Sequence, residues 1–156
     1  MNNDCFLEAT AMSSTKQKSK KRGKRRTWLM PQEVVVWYVL PAIRRELTRI
    51  MIKKKKPQKQ IAKMLGVTEP AITQYKLKKS KRSRGDQVSI PDKILVEIEK
   101  AADVIIEAYE RNGDKEVYEI MTREINHLIE ILKDSGVICD VHREHCEGVH
   151  DDCKAC

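Results

Sequence analysis

"QKQIAKMLGVTEPAITQYKLKK", residues 58–79, is the stretch of sequence that decides the fold. Its first half predicts a helix, because Ile61 and Leu65 lie one turn apart on the same face. Ala62, next to Ile61, is small at a place where a second helix must cross closely. Gly66 then supplies a turn residue that tolerates positive φ. The first half therefore predicts a helix that ends in a tight glycine turn.

The second half predicts another helix, which begins at once. Thr68 is a favoured N-cap residue, and Glu69 and Pro70 are both favoured in a first helical turn. Ile72 and Tyr75, three residues apart, return this helix to a core. Together the two halves predict a helix-turn-helix, a unit that commonly binds DNA, and the alternative interpretation is an ordinary helical hairpin.

The charge of the chain is strongly divided between its two halves. Residues 1–85 hold 23 of the 31 Lys and Arg residues and 5 of the 23 Asp and Glu residues, a net charge of +18. Residues 86–156 hold the other 8 basic and 18 acidic residues, a net charge of −10. The first half can therefore bind a polyanion that the second half would repel.

The most basic run is KQKSKKRGKRR, residues 16–26, with eight basic residues in eleven and no apolar residue. Such a run cannot bury enough surface to offset its ordering entropy, so residues 1–29 are predicted to be a disordered basic arm. The arm has two interpretations, an electrostatic contact with nucleic acid and a solvated tail. Met12 and Met30 are also alternative start positions.

The stretch before the helix-turn-helix predicts a helix with a break or kink at Pro41. Pro31 followed by Glu33 suits a helix start, although the β-branched residues within 34–40 also suit a strand. We therefore expect residues 30–85 to form one DNA-binding domain of helical structure.

Two long amphipathic helices are predicted next, because apolar residues recur at helical spacing on both sides of the NGD sequence at residues 112–114. The apolar residues are Ile94, Leu95, Ile98, Ala101, Ala102, Ile105, Ala108 and Tyr109, then Val117, Ile120, Met121, Ile125, Leu128, Ile129 and Leu132. We interpret residues 86–136 as a helical dimerisation region, and the alternative is that the two helices simply pack on each other. No convincing strand pattern is found, which predicts an all-α fold.

QKQIAKMLGVTEPAITQYKLKK resembles the helix-turn-helix of the lambda-repressor/Cro-like (XRE-type) transcriptional regulators. The span from MPQEVVVWYVLPAIRREL through the last cysteine, about residues 30–156, resembles an archaeal group of that class in which a C-terminal cysteine cluster is thought to hold an iron–sulfur centre. The resemblance implies that Thr68–Lys76 is a recognition helix lying in the major groove of double-stranded DNA. Because one helix-turn-helix reads only a short half-site, a homodimer is expected.

The resemblance also implies which residues contact DNA. Base edges and phosphates would be contacted by Gln58, Thr68, Glu69, Pro70, Thr73 and Gln74. Gln74 suits adenine and Glu69 suits the amino group of cytosine. Salt-dependent attraction to phosphate would come from the basic residues Lys53–Lys56, Lys59, Lys76, Lys78, Lys79, Lys81, Arg82 and Arg84.

CDVHREHCEGVHDDCKAC, residues 139–156, holds four of the five cysteines. The spacing is Cys139-x6-Cys146-x6-Cys153-x2-Cys156, which predicts a metal site without specifying the metal. The resemblance favours an iron–sulfur cluster, of 4Fe–4S type, while His142, His145 and His150 also allow mixed zinc sites. Regulatory thiols or disulfides and an inert tail are the remaining interpretations. We assign residues 137–156 to a cysteine-rich segment. Because Val141, Val149 and Ala155 are its only other apolar residues from Cys139 on, we expect that part to be loose or to be folded by a metal.

These features predict a DNA-binding transcriptional regulator whose affinity responds to its metal centre. The alternatives are a regulator with purely structural zinc and an RNA-binding or scaffold protein. No enzyme signature or small-molecule substrate is evident, since there is no phosphate-binding glycine loop and no Ser/His/Asp set. No apolar run approaches the roughly 20 residues that span a bilayer, and none suits a signal peptide. We therefore expect a cytoplasmic protein with reduced thiols and no membrane partner.

Overall fold

The computed structural model describes residues 28–79 and 83–153. In chain order its elements are α1 (Pro31–Val34), a π-helical turn (Val35–Val39), α2 (Leu40–Lys53), α3 (Gln58–Met64), α4 (Glu69–Lys76), a 3-10 turn (Arg84–Gln87), α5 (Asp92–Asn112), α6 (Asp114–Asp134) and α7 (Val137–His145). These two ranges contain no strand, which confirms the predicted all-α class. None of their helices is long and apolar enough to cross a membrane. The predicted arm lies outside them, apart from Trp28 and Leu29.

The ambiguous stretch before Pro41 is helical. Helix α1 begins with Pro31 in its first turn, and the Met30 N–H donates a hydrogen bond to Glu33 Oε2 at 2.8 Å. Pro41 lies in the first turn of α2 and does not end the helical run. A proline lacks the N–H of a regular helical hydrogen bond, and the wider π-helical turn immediately before it accommodates this loss. The helical run therefore continues through Pro41, and its regular α-helical pattern is interrupted by the π-helical turn.

The connection between α3 and α4 follows the local rules that predicted it. Gly66 has φ +60°, and a Cβ added there would lie 3.7 Å from Met121 Cε, an ordinary contact. Glycine is therefore needed for its conformation rather than for space. Thr68 caps α4, since its Oγ1 accepts a hydrogen bond from the Ala71 N–H at 3.4 Å. Ile72 is fully buried, which fixes the inward face of α4.

Helices α5 and α6 pack along each other, and α5 also packs on α2. Their core-facing residues are Ile94, Ile98, Ala101, Ala102, Ile105, Ile106, Ala108, Val117, Met121, Ile125, Leu128 and Leu132. The apolar stripes that suggested a dimerisation region are thus largely buried within one chain. Val96, Val104 and Tyr118 remain exposed on these helices. The homodimer stays a prediction, and most of the apolar surface that suggested it already contacts the core.

The start of the cysteine-rich segment departs from the expectation that it has no core and needs a metal for order. Residues 137–145 form helix α7, which packs against α1 and α6. Val137, Ile138, Val141 and Cys146 are all buried in the same core as the other helices. The expectation was wrong for this part because it considered only the apolar residues of the segment itself. A short amphipathic helix is stabilised when a partner surface covers its apolar face.

Candidate functional site

Helix α4 has a buried side and an exposed polar side. Glu69, Pro70, Thr73 and Gln74 are all exposed, whereas Ile72 is fully buried. The Thr73 hydroxyl donates a hydrogen bond to the Glu69 carbonyl oxygen at 3.3 Å. Because that proton is used within the helix, the methyl group and the oxygen lone pairs of Thr73 remain available outward. The exposed face therefore offers an amide, a carboxylate and a methyl group.

Gln58 and Thr68, at the starts of α3 and α4, are both predicted to contact phosphate but have different surroundings. Gln58 is the first residue of α3 and is half-buried. Thr68 is exposed, but its side-chain oxygen already accepts a backbone N–H as the cap of α4. The hydroxyl proton of Thr68 is still free to be donated to a phosphate oxygen.

The lysines at residues 53–56 divide into two pairs. Lys53 and Lys55 are exposed, while Lys54 and Lys56 are half-buried and turn towards α5. Lys54 Nζ lies 2.8 Å from Asp103 Oδ1, and this hydrogen bond raises the pKa of Lys54. Lys56 pairs in the same way with Glu110. Two of the four lysines thus link the basic half of the chain to the acidic half instead of facing outward.

The basic residues at the end of α4 and beyond it differ in their surroundings. Lys76, Lys78 and Lys79 are exposed at and just beyond the end of the helix. The Arg84 guanidinium lies 4.8 Å from the centroid of the Trp37 ring, a cation–π contact. Lys81 and Arg82 lie outside the described residues. The exposed face of α4 is therefore bordered at its C-terminal end by three lysines.

A buried ion pair between Arg45 and Asp86 holds the C-terminal end of α4, and sequence reasoning missed it. The two side chains are only 5% and 3% exposed. Arg45 also donates a hydrogen bond from Nη2 to the Leu77 carbonyl oxygen at 2.6 Å, one residue beyond α4. Burial, together with the nearby Arg49, lowers the pKa of the Arg45 guanidinium, although an arginine remains charged at neutral pH. Nothing in the local pattern distinguishes Arg45 from Arg44 and Arg49, which are half-buried.

Three of the four predicted cysteine ligands lie in the described chain. Cys146 is buried, and its Sγ accepts a hydrogen bond from the Leu29 N–H at 3.5 Å. Cys139 and Cys153 are half-buried, and all three are free thiols. No group of three His, Cys, Asp or Glu residues suited to a metal ion occurs within residues 28–79 and 83–153. Cys156 lies outside those ranges, so the four-cysteine site stays a prediction.

Arg143 folds the end of the chain back onto α7. Its guanidinium donates hydrogen bonds to the Cys139 carbonyl oxygen at 3.4 Å and to the Asp151 carbonyl oxygen at 3.4 Å. It also pairs with the carboxylate of Asp140. The turn that carries Cys153 is therefore held beside the part of α7 that carries Cys139.

Two of the three histidines that were candidate zinc ligands instead hold α7 in place. His142 Nε2 lies 2.7 Å from the Leu29 carbonyl oxygen. His145 donates from Nδ1 to the Val141 carbonyl oxygen at 2.9 Å, and its Nε2 lies 2.7 Å from Gln87 Oε1. Its ring also contacts the Tyr38 ring in a tilted arrangement, with the centroids 4.2 Å apart and the planes at 46°. His150 is exposed.

No family model, no curated protein and no solved structure matches this chain. The resemblance of residues 58–79 to XRE-type regulators therefore stays a prediction, as do the DNA contacts that it implies. Any function has to be inferred from the surfaces of the helices themselves.

Proposed function

We propose that this protein is a sequence-specific, DNA-binding transcriptional regulator in which α3 and α4 form a helix-turn-helix and α4 is the recognition helix. The observation that carries the proposal is the exposed polar face of α4, anchored from behind by the fully buried Ile72. A helix that is fixed on one side and polar on the other can lie in the major groove and keep its core contacts.

The side chains on this face match the chemistry of base edges. Gln74 can donate to and accept from adenine, and the Glu69 carboxylate can accept from the amino group of cytosine. The outward methyl group of Thr73 suits contact with the methyl group of thymine. The lysines at the end of α4 would then bind phosphates on the same side of the groove.

A Gln74→Ala variant tests the role of α4. Duplexes are first selected from a random pool with the wild-type protein, and affinity is then measured by fluorescence anisotropy. We expect the variant to lose about 5- to 150-fold in affinity, which corresponds to about 1–3 kcal/mol for one bidentate base contact. We also expect its preference to relax at a single base position, because one side chain reads one base pair.

Gln32→Ala is the matched control, because Gln32 is an exposed glutamine on α1, away from the α4 face. An equal loss in both variants, or no loss in Gln74→Ala, would contradict the role of α4. A wild-type selection that enriches no duplex sequence would favour the RNA-binding or scaffold alternative.

We also propose that Cys139, Cys146, Cys153 and Cys156 bind an iron–sulfur cluster, with zinc as the alternative, and that DNA affinity responds to its loss. The support is the clustering of the cysteines in the sequence and the contacts of Arg143, which hold the Cys153 turn against α7. Four thiolates would fill the coordination of either group and leave no open position for catalysis. The protein is therefore proposed to be a sensor or a structural metalloprotein, and not an enzyme.

Metal analysis after anaerobic purification tests this second proposal. We expect a coloured protein that contains iron and acid-labile sulfide, and a Cys153→Ser variant that loses both, because that change removes a ligand thiolate. Cys5→Ser is the matched control and should retain the metal, since Cys5 lies far from the cluster in the sequence. A colourless protein with stoichiometric zinc would exclude iron sensing and would leave the DNA-binding proposal intact.

A further inference from the structure

The C-terminal end of α4 is bound by the buried side chain of Arg45, which belongs to α2. Arg45 of α2 donates a hydrogen bond to the Leu77 carbonyl oxygen, the cap residue of α4, at 2.6 Å. The Leu77 side chain is 54% exposed, and its N–H donates a hydrogen bond within α4, to the Gln74 carbonyl oxygen at 3.1 Å. The position of Arg45 therefore influences where α4 ends and where the following lysines, Lys78 and Lys79, begin.

Arg45 is itself held by the 3-10 turn at Arg84–Gln87. Its ion-pair partner Asp86 belongs to that turn. The turn lies directly against the start of α2, since a Cβ added at Gly85 would be 3.0 Å from the backbone of Pro41 and Ala42. Such close contact leaves the turn little room to move independently of the groups that it binds.

The next residue of the same turn contacts α7. Gln87 Oε1 lies 2.7 Å from His145 Nε2, and the other ring nitrogen of His145 is bonded to the Val141 carbonyl oxygen. The ring of Tyr38, which belongs to the π-helical turn, contacts the His145 ring in a tilted arrangement. A continuous series of polar contacts thus runs from α7 through the 3-10 turn to α2 and the end of α4.

We infer that α7 positions the recognition helix through the contacts His145–Gln87, Asp86–Arg45 and Arg45–Leu77, and that Gln87 and Arg45 are positioning residues for DNA binding. The inference rests on the proposed function, since it concerns the same helix α4. The Arg45–Asp86 pair is buried and the other two contacts are half-buried, where hydrogen bonds and ion pairs are stronger than in water, so a displacement at one end is passed on to the next contact. Displacement of α7 by any cause would then change the placement of Gln74, Lys78 and Lys79.

A Gln87→Met variant tests the inference, because methionine keeps the length of the side chain and removes the hydrogen bond to His145. Two quantities are compared with the wild type: the ratio of affinities for a selected and a scrambled duplex, and the hydrogen exchange of backbone amides in α4 without DNA. We expect the ratio to fall about 2- to 30-fold and the amides near the end of α4 to exchange faster, while α5 and α6 are unchanged. Gln32→Met makes the same change at an exposed glutamine of α1 and should stay close to wild type in both measurements.

Three outcomes would overturn the inference. One is a Gln87→Met variant with wild-type affinity ratio and wild-type exchange in α4. Another is faster exchange in α4, α5 and α6 together, which would show general loss of stability rather than positioning. The third is equal loss in Gln87→Met and Gln32→Met. A wild type without duplex selectivity would instead refute the proposed function, and hydrogen exchange in α4 would still decide whether α7 is coupled to it.

Discussion

An Asp86→Ala variant is expected to have a free energy of unfolding about 3–5 kcal/mol below that of the wild type. The change would leave the Arg45 guanidinium buried, with its side chain only 5% exposed, and without its carboxylate partner. A charge in such a setting has lost its hydration and is compensated mainly by the opposite charge beside it. Urea denaturation followed by circular dichroism measures the change directly.

Asp103→Ala is the matched control, because Asp103 also pairs with a basic residue, Lys54, but is 57% exposed. Water screens that pair, so we expect a loss below about 1 kcal/mol. A double variant that replaces both members of the buried pair, Arg45→Met with Asp86→Leu, should recover part of the loss, since no unpaired charge remains. A loss below about 1 kcal/mol in Asp86→Ala would show that the ion pair contributes little to stability.

The affinity for duplex DNA is expected to fall about a thousandfold between roughly 50 and 200 mM salt, if about six phosphates are neutralised. The exposed lysines near α3 and α4 are Lys53, Lys55, Lys59, Lys63, Lys76, Lys78 and Lys79. Each phosphate contact releases a condensed counterion, so the logarithm of the binding constant falls linearly with the logarithm of the salt concentration. Fluorescence anisotropy over a range of salt concentrations gives the slope.

The variant Lys78→Ala/Lys79→Ala should reduce this slope by about 2, roughly 1 for each lost phosphate contact. The control is Lys100→Ala on α5, where the ammonium lies 2.8 Å from Glu97 Oε1 on the acidic half of the chain. We expect that control to keep the wild-type slope. A slope that is unchanged in the double variant would place the phosphate-binding surface elsewhere.

Sequence reasoning succeeded where a structure depends on residues a few positions apart. The positive φ of Gly66, the capping by Thr68 and the buried position of Ile72 all follow from local rules of helix geometry. The end of α5 at Asn112 coincides with the NGD sequence that separates the two predicted long helices. The candidate DNA-contacting residues of α4 are exposed, as the 3.6-residue helical period requires when Ile72 is buried.

The structure differed from sequence reasoning where partners are distant in the chain. Arg45 and Asp86 are separated by 41 positions, and Gln87 and His145 by 58. Neither pair leaves a signal in the local pattern, since charged and polar residues on amphipathic helices are usually exposed. For the same reason, the sequence does not distinguish the four lysines at 53–56, of which Lys54 and Lys56 form ion pairs with α5.

The sequence by itself determined that this chain is helical, where its central turn lies and which side of α4 is polar. These properties depend on backbone conformation and on the 3.6-residue period, which act within a few residues. Only the tertiary structure decided that α7 joins the core and that a buried ion pair holds the end of α4. Both depend on which surfaces meet, because burial and the strength of a charge pair are set by neighbours from distant parts of the chain.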